Sequence, residues 1–131
     1  MVFGTFDGVH GGHQSFLRQA REQGDYLIAV VAPDRIVEHL KHRPPQYSAE
    51  ERSDHLRNED HVDEVIIGDE ELGSWEVIQR YRPDVVAVGY DQDELRDNLT
   101  SSLESFNWHL EIATMDPHEP ERYKSSFVSK E

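Results

Sequence analysis

The chain has 131 residues, 36% of them hydrophobic and 31% charged, with 13 Lys and Arg against 27 Asp and Glu for a net charge of -14, and no cysteine. That length suits one domain with its own core, the lack of cysteine excludes disulfides, thiolate metal sites and a cysteine nucleophile, and the acidity repels polyanions, so no nucleic-acid partner is expected. No apolar run approaches the roughly 18 residues of a membrane span and the first motif starts a few residues after Met1, so no membrane association or signal peptide is expected and the cytoplasm is the expected compartment.

In chain order the pattern alternates. An apolar stretch at Val2 to Phe6 reads as a strand, Gly12 to Gln23 as a helix burying Phe16, Leu17 and Ala20, and Tyr26 to Ala32 as a second strand. Gly24-Asp25 is expected to stop that first helix. Pro33-Asp34 opens a short helix to about Leu40, followed by the basic, proline-broken loop Lys41 to Tyr47. Ser48 followed three residues later by Glu51 is a capping box, which predicts a helix from there to about Asn58. Val62 to Ile67 is a third strand, Leu72 to Tyr81 a helix, Asp84 to Gly89 a fourth strand, Asp91 to about Phe106 a helix, and His109 to Thr114 a fifth strand. Strands spaced by helices pair in parallel through right-handed crossovers. The expected architecture is therefore a three-layer α/β/α sandwich of Rossmann-like type on a five-stranded parallel sheet, with residues 1–131 forming one domain.

Ligands of such sheets bind beyond the carboxyl ends of the strands, where the strand order reverses. The loops that matter are then Phe6 to His13 and Gly89 to Gln92. In the first, Gly4, Gly8, Gly11 and Gly12 crowd a strand-to-helix turn, which lets backbone N–H groups close on an anion while the helix N-terminus adds its positive end. Neither GxxxxGK[ST] nor GxGxxG is present; the distinguishing feature is His10 and His13, three apart at a helix start and so on one face. Both imidazoles can donate to the same phosphate cluster. Phosphoryl and nucleotidyl transfer need chiefly positioning and stabilisation of charge on phosphate oxygens, which two such donors supply. The plainer reading is a tight glycine turn with histidines that are merely surface or metal-binding residues, and with eight histidines in the chain chance pairs occur. The other six, His39, His42, His55, His61, His109 and His118, have no spacing that proposes zinc, so no metal-ligand set is assigned.

The run GTFDGVHGGH resembles the GxFDxxHxGH signature of the cytidylyltransferase-like nucleotidyltransferases, with strand, turn and helix in the matching places. The resemblance covers nearly the whole chain, since Tyr47 to Arg52 is similar to that family's arginine segment and Val88 to Gln92 to its fourth-strand motif. Within the superfamily, Val31 to Asp34, Leu40 to Pro44 and Gly89-Tyr90-Asp91-Gln92 look most like archaeal-type FAD synthases, with glycerol-3-phosphate cytidylyltransferases as near neighbours.

The resemblance implies a HUP-type nucleotidyltransferase fold and a reaction in which a phosphate oxygen of a second substrate attacks the α-phosphate of a nucleoside triphosphate and expels pyrophosphate. It implies triphosphate binding by the backbone at Thr5 and Phe6 in the turn that Gly4 and Gly12 flank, and charge stabilisation by His10 and His13; Asp7, inside the turn, is a second-tier nucleotide-binding candidate whose plainer reading is a structural hydrogen bond to backbone. Lys41 would approach the phosphates from a mobile loop, and Arg52 would contact phosphate or acceptor, the plainer reading being an ion pair with Glu51 or Asp54. Gly89 would allow close backbone approach. Asp91 would bind ribose or base or help hold magnesium, or simply cap its helix. Near the C-terminus Arg122, Ser125 and Ser126 are the candidates for the superfamily's hydroxyl-rich phosphate motif. The implied chemistry is AMP transfer from magnesium-ATP to FMN, giving FAD. Cytidylyl transfer from CTP to glycerol 3-phosphate or a similar phosphorylated alcohol, and a non-catalytic nucleotide-binding homologue, are the alternatives. A homodimer is a family expectation.

Overall fold

The structure, a computed structural model, describes residues 1–8, 11–71 and 73–116. Its elements run β1 (Val2–Gly4), α1 (Gly11–Arg21), β2 (Ile28–Val31), α2 (Asp34–Lys41), α3 (Ala49–Arg57), β3 (Glu64–Ile67), α4 (Glu76–Tyr81), β4 (Val85–Val88), α5 (Asp93–Ser102) with a closing 3-10 turn (Leu103–Ser105), and β5 (Glu111–Thr114). All five strands pair in parallel in the order β3-β2-β1-β4-β5, which is the α/β sandwich the alternation predicts. No helix among the described residues is long and apolar enough to cross a membrane.

The sheet is buried on both faces, as a parallel sheet requires. On one face Leu17 and Ala20 of α1 and Leu56 of α3 pack on Val2, Ala29, Val31 and Ala87. On the other, Val77 and Ile78 of α4 and Leu99 of α5 pack on Val30, Val86 and Val88. Burying a Leu, Ile or Val side chain contributes about 1.5–3 kcal/mol, so these faces supply the main drive for collapse. The helices that follow the adjacent strands β1 and β4 thus leave toward opposite faces, and a crevice opens between the two strands at their carboxyl ends.

Local signals explain where elements begin and end, and where expectation and structure part. The capping box is present: Ser48 Oγ accepts from the Glu51 N–H, while Glu51 Oε1 accepts from the Ser48 N–H. β1 stops at Gly4 instead of continuing to Phe6, because Phe6 turns into the left-handed region at φ 52°. α4 begins at Glu76, not Leu72, since Gly73 at φ 79° and Trp75 at φ 55° cannot belong to a right-handed helix. α1 ends at Arg21 without a left-handed glycine cap, so Gly24 lies beyond the helix end rather than terminating it. α5 begins two residues later than expected and tightens into the 3-10 turn before Phe106.

Candidate functional site

The crevice is framed by the turn after β1 on one side and the loop after β4 on the other. Along the first, Gly4 leads to Phe6, whose ring is buried and lies so close over Gly4 that a Cβ there would meet ring carbons at 2.8–2.9 Å. A left-handed aromatic residue costs on the order of 1–3 kcal/mol; burial of the ring offsets it. Gly8 then takes φ 83°, a turn glycine allows without strain. Gly12 and His13 lie in the first turn of α1, which carries no acidic residue there to oppose an anion. The His13 imidazole is half-buried and meets the Phe6 ring edge-on at a centroid distance of 5.5 Å. The strained phenylalanine is thus a buttress for the histidine. His10, with Val9, lies outside the described residues, as do Arg122, Ser125 and Ser126.

Two polar residues fasten this turn to the end of the basic loop. The Asp7 carboxylate accepts from the Gln46 N–H at 2.7 Å and from the Tyr47 N–H at 2.9 Å. Its structural role is therefore a staple between segments 39 and 40 residues apart in sequence. Arg52, expected to face phosphate or acceptor, is turned inward and has no exposed surface. Its Nε donates to Tyr47 O at 2.9 Å, one Nη to Thr5 O at 2.8 Å, and the other Nη to Asp34 Oδ1 at 2.7 Å. The fork that suits two phosphate oxygens equally suits carbonyl and carboxylate oxygens converging from three segments, and here it is occupied by them. It pairs with neither Glu51 nor Asp54; Asp54 is engaged by Arg57. Because a trans peptide points its C=O and N–H in opposite directions, holding the Thr5 carbonyl turns the Phe6 N–H away from the guanidinium. Arg52 thereby fixes the orientation of a peptide expected to donate to the triphosphate.

Lys41 is not in a loop but is the last residue of α2, followed by left-handed His42. It is exposed and makes no hydrogen bond or ion pair among the described residues.

Across the crevice, Gly89 is buried at the end of β4, and a Cβ there would stand 3.0 Å from Asp91 Oδ1. Asp91 is exposed and does not cap α5; the capping position is taken by Gln92, whose side chain makes no capping bond but turns back toward the sheet. Sequence reasoning assigned Gln92 no role, and only its place in the Gly89-Tyr90-Asp91-Gln92 motif hinted at one. A cavity of about 250 Å³ lined by Arg57, Val62, Asp63, Glu64 and Val65 lies at the amino end of β3, the opposite end of the sheet, and holds none of these groups. Among the described residues no group of three or more His, Cys, Asp or Glu side chains is placed to hold a metal ion.

Residues 1–129 match the family model described as cytidylyltransferase-like. The chain is similar to the FAD synthase of Pyrococcus horikoshii, 42% identical over 112 residues covering 86% of this chain and 76% of that one. It is also similar to the FAD synthase of Pyrococcus abyssi, 40% identical over 131 residues covering 99% and 88%. Among solved structures it resembles the lipopolysaccharide core biosynthesis protein of Thermoplasma volcanium, with a TM-score of 0.82 and 26% identity over 91% of this chain and 96% of the other.

Proposed function

We infer that this chain, which belongs to the cytidylyltransferase-like family, is an FMN adenylyltransferase: it joins AMP from ATP to the phosphate of FMN, forming FAD and releasing pyrophosphate. The observation that carries the reading is the glycine turn leading from β1 into the N-terminus of α1 with His13 in its first turn, at the crevice where β1 and β4 part, in a chain about 40% identical to FAD synthases over most of its length.

In the reaction a phosphate oxygen of FMN attacks the α-phosphorus of ATP. The new P–O bond forms as the bond from the α-phosphorus to the oxygen bridging to the β-phosphate breaks, and that oxygen leaves with pyrophosphate. Charge grows on the bridging and non-bridging oxygens, so fixed donors are what the protein must supply. His13, with His10 by resemblance, donates to the α-phosphate, and the Phe6 N–H and the start of α1 donate to the phosphate chain. Gly4 and Gly12 let the backbone come close, while Gly89 and Asp91 form the ribose and base side of the crevice. By resemblance Lys41, an exposed cation at the end of α2, is assigned to the phosphates, and Arg122, Ser125 and Ser126 to the β- and γ-phosphates. Such local donors are needed because a net charge of -14 repels an anionic substrate at long range.

Magnesium accompanies ATP. Asp91, exposed beside Gly89 at the end of β4, would help hold the ion, in the way that magnesium sites combine one or two carboxylates with substrate phosphates. When bound, the ion neutralises charge on the phosphates. By resemblance to the family, the domain is proposed to act in the cytoplasm as a homodimer. The test is to incubate purified protein with magnesium, ATP and FMN and separate the flavins. FAD formed in step with pyrophosphate is expected. Pyrophosphate release with CTP and glycerol 3-phosphate but not with ATP and FMN, or nucleotide binding without turnover, overturns the reading.

A further inference from the structure

The strand pairs of the sheet do not all end alike. Beyond its strand ends, β1–β2 continues with a direct bond from Ala32 N to Gly4 O at 2.9 Å, β2–β3 with Gly68 N to Val31 O at 2.8 Å, and β4–β5 with Met115 N to Val88 O at 2.8 Å. Between β1 and β4 the ladder includes Ala87 N to Met1 O at 3.0 Å, around the register pair Val2 and Ala87. Two residues further along each strand, the next rung of this parallel ladder would join Gly89 N to Phe3 O. That bond is replaced by a side chain: Gly89 N donates to Gln92 Oε1 at 2.8 Å, and Gln92 Nε2 donates to Phe3 O at 2.9 Å.

The Gln92 amide is thus inserted into the ladder as a spacer. The two backbone groups are joined through two hydrogen bonds and the width of an amide instead of one bond, so the strands are splayed and held at a fixed separation without leaving either group unpaired. The chemistry is particular to glutamine. The site needs an acceptor facing Gly89 and a donor facing Phe3 on one planar group; a carboxylate lacks the donor, and a thioether lacks the donor and is only a weak acceptor. The cost falls on α5, which starts without a side-chain cap.

We infer that Gln92 is a wedge that sets the width of the crevice between β1 and β4, and so a positioning residue for the nucleotide. It acts through the Phe3-Gly4-Thr5 backbone leading to the phosphate turn and through Gly89 opposite. This rests on the reading that the crevice holds ATP. The wedge itself is tested in the unaltered protein, by the hydrogen-bond scalar coupling between the Gln92 side-chain nitrogen and the Phe3 carbonyl carbon. The coupling is expected, and its absence refutes the wedge whatever the protein binds. Its functional consequence is read by ATP calorimetry. Gln92→Met is expected to melt as a folded protein, to gain a direct Gly89–Phe3 coupling as the strands close, and to bind ATP roughly tenfold or more weakly. Gln92→Glu is expected to be equally weak at pH about 8 and to recover relative to the unaltered protein only as the pH falls toward the glutamate range near about 4.3, where a protonated carboxyl again offers one donor and one acceptor, a recovery Gln92→Met cannot show. ATP affinity in folded Gln92→Met equal to that of the unaltered protein overturns the positioning role. An unaltered protein that shows the coupling but binds no ATP defeats the functional reading alone.

Discussion

Replacing Arg52 separates a clamp from a substrate ligand. The side chain is fully buried and engages three acceptors, two of them backbone carbonyls 5 and 47 residues away in sequence. In Arg52→Leu the apolar stem is kept and the fork is lost. Tyr47 O and Thr5 O each lose their charge-assisted donor, at about 1–3 kcal/mol apiece. The Asp34 carboxylate, with 47% of its side chain exposed, is rehydrated and adds little. The desolvation cost of the buried cation disappears at the same time, which leaves a net destabilisation of about 2–4 kcal/mol. For a domain of this size each kcal/mol lowers the melting temperature by about 3–6 °C, so a fall of roughly 6–24 °C is expected by calorimetry. Arg52→Lys keeps the charge but reaches fewer of the acceptors, and should fall between the two. Because the clamp sets the Thr5–Phe6 peptide, FAD formation measured well below the new melting temperature should also drop, with ATP affinity weakened. A variant that melts with the unaltered protein while losing affinity for ATP or FMN would refute the reasoning and make Arg52 a direct ligand of substrate.

His13→Ala should leave the fold intact by circular dichroism while lowering the rate of FAD formation on the order of 10²–10³-fold, the usual loss on removing one donor to a developing oxyanion; near-normal turnover would remove the histidine from the mechanism. Asp7→Ala frees the Gln46 and Tyr47 N–H groups and should loosen the segment leading into α3. Cleavage after Lys41 by a lysine-specific protease, followed by mass spectrometry, should quicken without a comparable fall in melting temperature. Raising the salt concentration should raise the melting temperature, because the self-repulsion of a chain of net charge -14 is screened. A melting temperature that falls steadily with added potassium chloride would contradict that.

How much of the molecule is legible in its sequence follows the range of the interactions. The capping box at Ser48 and Glu51 is local and readable, as are strands marked by runs such as Ile28 to Val31 and Val85 to Val88. The glycine turn and its histidines point to the proposed anion site by residue type and spacing alone. What stays hidden depends on partners distant in sequence. Arg52 looks like an exposed helical arginine until Thr5 and Asp34 are brought to it, and Gln92 looks like part of a helix start until Phe3 arrives beside Gly89. The late start of α4 rests on a left-handed tryptophan, a backbone state no propensity assigns to that residue.

Gly4 and Phe6 bear on how such a site can change over time. The ring that buttresses His13 occupies the space a side chain at Gly4 would need. Neither position is then free to drift alone. Enlarging residue 4 displaces the ring and so the histidine, whereas trimming residue 6 leaves a void beneath the turn and also removes the burial that offsets its strained backbone. The two are epistatic, and a path between sequences that alters one must pass through a compensating change at the other, so a mutational library built on this turn should vary them jointly.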